Sequence, residues 1–227
     1  MDEISKHDFQ PETPCIKVVG VGETVAPVIE SLKDNWKGDI YAGMADECKP
    51  ADTDIMAIVV SDGDAETTHK VIDAFHGILT IVVVTESAEI EGFDIPVHRS
   101  AITNMPDDIN EILIPIIQTG WMAYDFHDFE WMVKGCTKFT VESAVASGES
   151  RIADCLSQLT PKLEKYSNYS IILYSNPKDE HPLAMTELAS LTRWIGELPE
   201  NIEIVWAVYR DDTLSDSNVK LTVIAAR

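Results

Sequence analysis

The sequence predicts an α/β fold: an open parallel sheet followed by a second, smaller α/β unit. Residues 54–61 (DIMAIVVS) and 78–85 (ILTIVVVT) are continuous apolar runs, the pattern of parallel strands covered on both faces. Apolar residues at helical spacing fall before, between and after them, so the first half alternates strand and helix. Past about residue 130 the rhythm becomes β-α-β-α-β-β, which predicts a sheet with helices packed on one face.

In order, residues 15–22 (CIKVVGVG) read as a strand ending in glycines. A helix over 25–35 places Val28, Ile29 and Leu32 on its apolar face, and 39–43 is a short strand. After the 54–61 strand, Asp62-Gly63-Asp64 turns into a helix carrying Val71, Ile72 and Phe75. Residues 95–98 follow the 78–85 run as one more short strand. Pro106-Asp107-Asp108 opens a helix in which Ile109, Leu113 and Ile116/Ile117 recur at helical spacing. Gly120 interrupts it, and Asp125-Phe126-His127-Asp128 leads into a second short helix containing Phe129, Met132 and Val133. Residues 137–144 alternate like a half-exposed strand. A helix over 149–166 buries Ile152, Leu156, Leu159 and Leu163; a strand at 170–174 and a helix over 182–198 follow. Residues 202–209 and 219–226 read as two adjacent strands joined by the acidic turn 210–218. The units are thus a flexible arm 1–14, a sheet unit 15–118, a hinge 119–129 and a second unit 130–227.

Composition excludes several functions. With 39 Asp+Glu against 17 Lys+Arg the net charge is −22, a field that repels phosphate backbones and anionic lipid. Nucleic acid and direct membrane binding are therefore not expected. No apolar run approaches the ~18–20 residues of a membrane helix. The polar, acidic start MDEISKHDFQPETP has neither the basic nor the apolar region of a signal peptide, so a cytoplasmic protein is expected. The four cysteines, Cys15, Cys48, Cys136 and Cys155, show no metal-ligand spacing and read as core thiols; no metal is expected. No Ser-His-Asp or Cys-His pairing, Walker motif or HExxH helix occurs.

Two strand-to-helix turns invite a phosphate-binding reading, because glycines let backbone N–H groups approach an anion at a helix start. The first holds Gly20 and Gly22, but Glu23-Thr24-Val25 follow, with no third glycine in register and with a carboxylate where phosphate would sit. The second, Ser61-Asp62-Gly63-Asp64, sets two aspartates around one glycine. Both read as relict phosphate turns with no nucleotide or other cofactor. The clustered carboxylates of the hinge, Asp125 and Asp128, have two readings. They are a functional acid pair, or Asp125 is a helix N-cap with Asp128 in the first turn. His127 stands beside them as a solvated loop residue.

Several segments resemble the FtsZ family, the bacterial relatives of tubulin. Ile16-Lys17-Val18-Val19-Gly20-Val21-Gly22 is similar to the family's opening strand, IKVVGVGGGG. Residues 120–133 resemble its catalytic loop and following helix, of the form GLINVDFADVRTVM, and residues 144–151 (AVASGESR) its A-S-G-E-x-R turn. Residues 204–208, 211–214 and 219–225 follow its last two strands and their connecting turn. The resemblance spans about residues 15–227 and implies a reduced FtsZ-like Rossmann-type sheet plus the FtsZ C-terminal-like α/β domain. It departs at the nucleotide: the family's GGGTGTG signature falls on Ser61-Asp62-Gly63-Asp64-Ala65-Glu66-Thr67, and residues 38–54 are too short for the intervening phosphate-contacting loop and helix. The family's tether-binding C-terminal tail is also expected to be absent. In the family the two acids reach across to the next subunit's GTP. Asp125 and Asp128 occupy their positions, while Ala123 replaces the usual asparagine.

The expectation is a non-GTPase, FtsZ-like interaction protein. Its partner is FtsZ or another FtsZ-like subunit, and it caps or modulates filaments in cell division through the acid loop. The alternatives are a residual FtsZ-type GTPase binding GTP and Mg²⁺, and a different metabolite site on the first sheet.

Overall fold

The computed structural model describes residues 15–88, 92–121, 124–178, 181, 183–215 and 217–227. The proposed arm 1–14 lies outside them, as do Ala123 and Pro182. Five strands, β1 (Cys15–Val21), β2 (Tyr41–Met44), β3 (Asp54–Ser61), β4 (Leu79–Thr85) and β5 (Val97–Ser100), form one parallel sheet in the order β2-β1-β3-β4-β5. Its helices are α1 (Ala26–Asn35), α2 (Ala65–Ala74) and α3 (Met105–Ile117). Alternate residues of the central strands face opposite cores. Ile16, Val18, Ile58, Val60, Ile81 and Val83 meet α1 and α3, whereas Val19, Val21, Val59, Val82 and Val84 meet Val71 and Phe75 of α2. A strand buried on both faces has no room for polar alternation, which is why these runs read as unbroken apolar stretches.

After α4 (Phe126–Val133), a second, four-stranded sheet is built from β6 (Phe139–Ser147), β7 (Asn168–Ser175), β8 (Glu203–Arg210) and β9 (Asn218–Ala226), with α5 (Arg151–Leu163) and α6 (Leu188–Glu197) between them. Its order is β6-β9-β7-β8, with β7 and β8 parallel and β9 antiparallel to both of its neighbours. This corrects the expectation that β8 and β9 pair: β7 lies between them. Burial gives the reason. β9 is buried along nearly its whole length, as an internal strand must be, while the first half of β8 stays half-exposed at the sheet edge. The turn after β8 therefore carries the chain past β7 to the slot beside β6. Among the described residues regular helix in α6 begins at Leu188, and the side chain of Glu187 just before it makes the contacts described below.

α5 and α6 cover one face of the second sheet through Ile152, Leu156, Leu159 and Leu191. The other face packs on α3 and α4, and one core cluster joins Ile109, Ile112, Phe129 and Met132 to Ile172, Tyr209 and Ile224 as well as to the first sheet. A buried polar link crosses the same seam. Glu111 of α3 accepts from Lys220 Nζ and, at 2.7 Å, from Thr222 Oγ1, both on β9. The hinge is fitted equally closely: a Cβ on Gly120 would lie 2.9 Å from the Tyr209 ring and from Val208 O, and Trp121 N–H donates to Val208 O at 2.8 Å. Among the described residues no helix is long and apolar enough to cross a membrane, and no His/Cys/Asp/Glu group is arranged to hold a metal.

Candidate ligand crevice and acid loop

The chain leaves β1 toward β2 on one side and reaches β3 on the other, with α1 and α2 on opposite faces. Such a switch point, outside the C-terminal ends of β1 and β3, is the usual ligand position in open α/β sheets. Gly22 stands there with φ 96°, the left-handed side that glycine alone adopts freely. A Cβ on Gly22 would lie 2.0–2.1 Å from the Asp62 carboxylate. That carboxylate accepts from Thr24 Oγ1 at 3.0 Å and from Thr24 N–H at 3.4 Å. It thus rests flat on the glycine turn. The Asp62 backbone is tied on both sides, its N–H donating to Val21 O at 3.2 Å and its carbonyl accepting from Thr85 Oγ1 at 3.2 Å.

The other glycines of the two turns serve packing and turning. A Cβ on Gly20 would meet Ile29 Cγ1 at 2.7 Å and Met44 Sδ at 2.8 Å, so Gly20 lets α1 approach β1. Gly63, at φ 123°, makes the turn in which its N–H donates to Ser61 Oγ at 3.2 Å. Asp64 is the N-cap of α2, accepting from Thr67 N–H at 3.1 Å and Thr67 Oγ1 at 2.6 Å. These bonds hold the Asp64 carboxyl below the usual aspartate value, the Thr67 hydroxyl contributing most. Glu23 is exposed.

The acid loop has the geometry of a capping box at the start of α4. Asp125 Oδ1 accepts from His127 N–H at 2.8 Å and Asp128 N–H at 3.2 Å, and Asp128 Oδ2 accepts from Asp125 N–H at 3.0 Å. Asp125 remains exposed, with Asp128 half-exposed beside it. His127 is exposed and only 3.5 Å from Glu130. Just before the loop Trp121 is 52% exposed, and one turn after Asp128 on α4 Trp131 is 47% exposed. Tyr124, by contrast, is buried, its phenol bonded by Ser170 Oγ at 2.9 Å and its pKa pushed up by that burial. The structure does not bring the glycine turns and the acid loop together. The crevice lies at the strand ends, and the loop lies beyond the far end of the 13-residue α3, a run of about 20 Å.

The A-S-G-E-x-R segment has a structural role of its own. Arg151, buried at the start of α5, donates twice to Glu187, at 2.7 and 2.9 Å, and once to His181 O at 3.1 Å. Reading the sequence missed this pair, and it missed the Thr24–Asp62 contact: both join residues more than 30 positions apart.

No protein-family model and no curated protein matches the chain. Solved structures do. An FtsZ from M. jannaschii, described as an empty dimer, is 14% identical with TM-score 0.73, covering 96% of this chain and 89% of its own. A TubZ of type III plasmid segregation gives TM-score 0.63 at 9% identity, over 94% and 88% of the two chains. CetZ1 from Haloferax volcanii, a GDP-bound monomer, gives 0.51 at 13% identity over 93% of each. At these identities the likeness concerns the fold: the parallel sheet, the long central helix and the second mixed sheet together are the FtsZ/tubulin fold.

Proposed function

We propose that this chain is an FtsZ-like interaction subunit that does not hydrolyse GTP, and that it caps or modulates filaments of an FtsZ or another FtsZ-like protein in cell division. It docks through the face around Asp125 and Asp128. The observation that carries this reading is the contrast between its two ends. At the strand ends, the chain's own Asp62 carboxylate covers the turn that a phosphate would need. At the acid loop, Asp125 is exposed and Asp128 half-exposed, with exposed Trp121 before them and exposed Trp131 after them along the chain. Buried tryptophans are frequent energetic anchors of protein interfaces, and exposed ones next to charge offer such anchors to a partner.

A subunit with one competent end can dock on a filament but cannot be extended from its other end. Stacking of two copies of this chain is disfavoured as well: Glu23, Asp62, Asp64 and Glu66 at one end would oppose Asp125, Asp128 and Glu130 at the other. The units acting in this way are residues 15–118 as the sheet unit, 119–129 as the hinge and 130–227 as the C-terminal unit, working in the cytoplasm.

The test mixes sub-stoichiometric protein with the FtsZ of the same cells and GTP, and follows polymer by sedimentation and light scattering. Shorter or less abundant polymer is expected, and an unchanged polymer at every ratio ends the proposal. Calorimetry with GTP and Mg²⁺ decides against the rival, a residual GTPase. A Kd near 1 μM or tighter, about 8 kcal/mol, would overturn the reading that this chain takes no nucleotide and favour that rival.

A further inference from the structure

We propose that Asp62 is an intramolecular plug: its carboxylate stands in for a bound phosphate group, and removing it uncovers an anion site at the ends of β1 and β3. The proposal deepens the reading that the wild-type crevice takes no nucleotide, and rests on it.

Four observations converge. The carboxylate lies at the switch point of the sheet, outside the ends of adjacent strands β1 and β3. It occupies the space that a side chain at Gly22 would fill, so a glycine there leaves room for the protein's own anion. It is held by donors that also suit a phosphate oxygen, the Thr24 hydroxyl and N–H. Its backbone is pinned to Val21 and Thr85, so the carboxylate is presented to the turn by the fold rather than resting there by chance rotation. The neighbouring acids are directed elsewhere: Asp64 caps α2 and Glu23 is exposed. Taking away the Asp62 side chain leaves the Thr24 donors without their acceptor beside an opened turn. Thr24 is exposed, so water competes for these donors, and an anion gains on it by accepting from the hydroxyl and the N–H at once.

The experiment compares wild type with Asp62→Gly by thermal melting in sodium phosphate and in sodium chloride of equal ionic strength. Phosphate stabilises most proteins somewhat by exclusion from their surface, so the readout is the gain of the variant over wild type. At phosphate about ten times its Kd, a phosphate-specific rise of about 3–5 °C beyond that of wild type is expected for Asp62→Gly. GDP in place of inorganic phosphate tells whether the site accepts a nucleotide phosphate or the free ion only; either result supports the plug. An equal rise in both proteins, or none in the variant, overturns it. Should Asp62→Gly fold poorly, Asp62→Ala, which also leaves Thr24 without its acceptor, is read in the same way, and absence of a phosphate-specific gain there also overturns it. GTP binding by wild type would instead overturn the underlying reading, so the two failures are distinguishable.

Discussion

Asp62 and Asp125 are the same residue type making the same kind of bond, a carboxylate accepting backbone N–H near a helix start. Their partners differ. Asp125 accepts from residues two and three positions ahead, within its own helix cap, and stays exposed. Asp62 accepts from Thr24, 38 positions away, and lies against a glycine turn. A local cap costs the surface nothing: the outer side of the carboxylate still faces a partner. A long-range acceptor is consumed by the fold and closes the crevice that it occupies. The chemistry that a carboxylate offers thus depends on whose N–H it has already taken.

The largest expected effect tests the inner site. Gly22→Ala places a methyl against the Asp62 carboxylate at an unfavourable φ and drives that side chain off Thr24, and should destabilise by roughly 2 kcal/mol in urea unfolding. Gly148→Ala is the reference: φ is 87° there but nothing lies within 4 Å, so strain alone, about 1 kcal/mol, is expected. Equal costs would mean that Asp62 does not press on Gly22.

Next comes the outer site. Asp125→Ala removes the cap and should cost about 1 kcal/mol of stability. Asp125→Asn keeps most of the capping at a cost of a few tenths of a kcal/mol, yet should weaken the effect on filament length. A variant that lost filament activity only in proportion to stability would reduce the acid loop to a cap.

The third effect is one of pH. Hydrogen bonds from Arg151 hold the Glu187 carboxyl below its ordinary value of 4.5. A depressed carboxylate stabilises fully above its unfolded pKa, and that contribution is lost as pH falls through the lower folded value. Glu187→Gln should therefore flatten the acid limb of the stability curve below about pH 4.5 and leave its shape near neutrality unchanged, as read by melting across pH.

Much of the fold was legible because it rests on local signals. The apolar runs at 54–61 and 78–85 announced strands covered on both faces, and Asp125 with Asp128 three residues on offered a helix N-cap as one of two readings. What stayed hidden depends on pairing across the chain. Nothing near residue 218 states that β9 inserts between β6 and β7, because internal and edge strands differ only in how completely both faces are covered. Gly22 looked like the remains of a phosphate site, and Asp62 like a charge that repels phosphate. Only their contact, brought about by the neighbouring positions of β1 and β3, reveals that one fills the space left by the other.

β9 holds a further consequence, in the order of synthesis. The strand that comes after all the others of this sheet in chain order is an internal one, hydrogen-bonded to β6 and β7 together. Until it arrives, β6 and β7 lack the strand that joins them, Glu111 lacks Lys220 and Thr222, and α3 shows part of its apolar face without its final cover. The nascent first half must wait with that surface open, a state prone to association and attractive to chaperones. Ribosome-bound chains ending before residue 218 should accordingly stay sensitive to protease, and gain resistance only once the closing strand has been released.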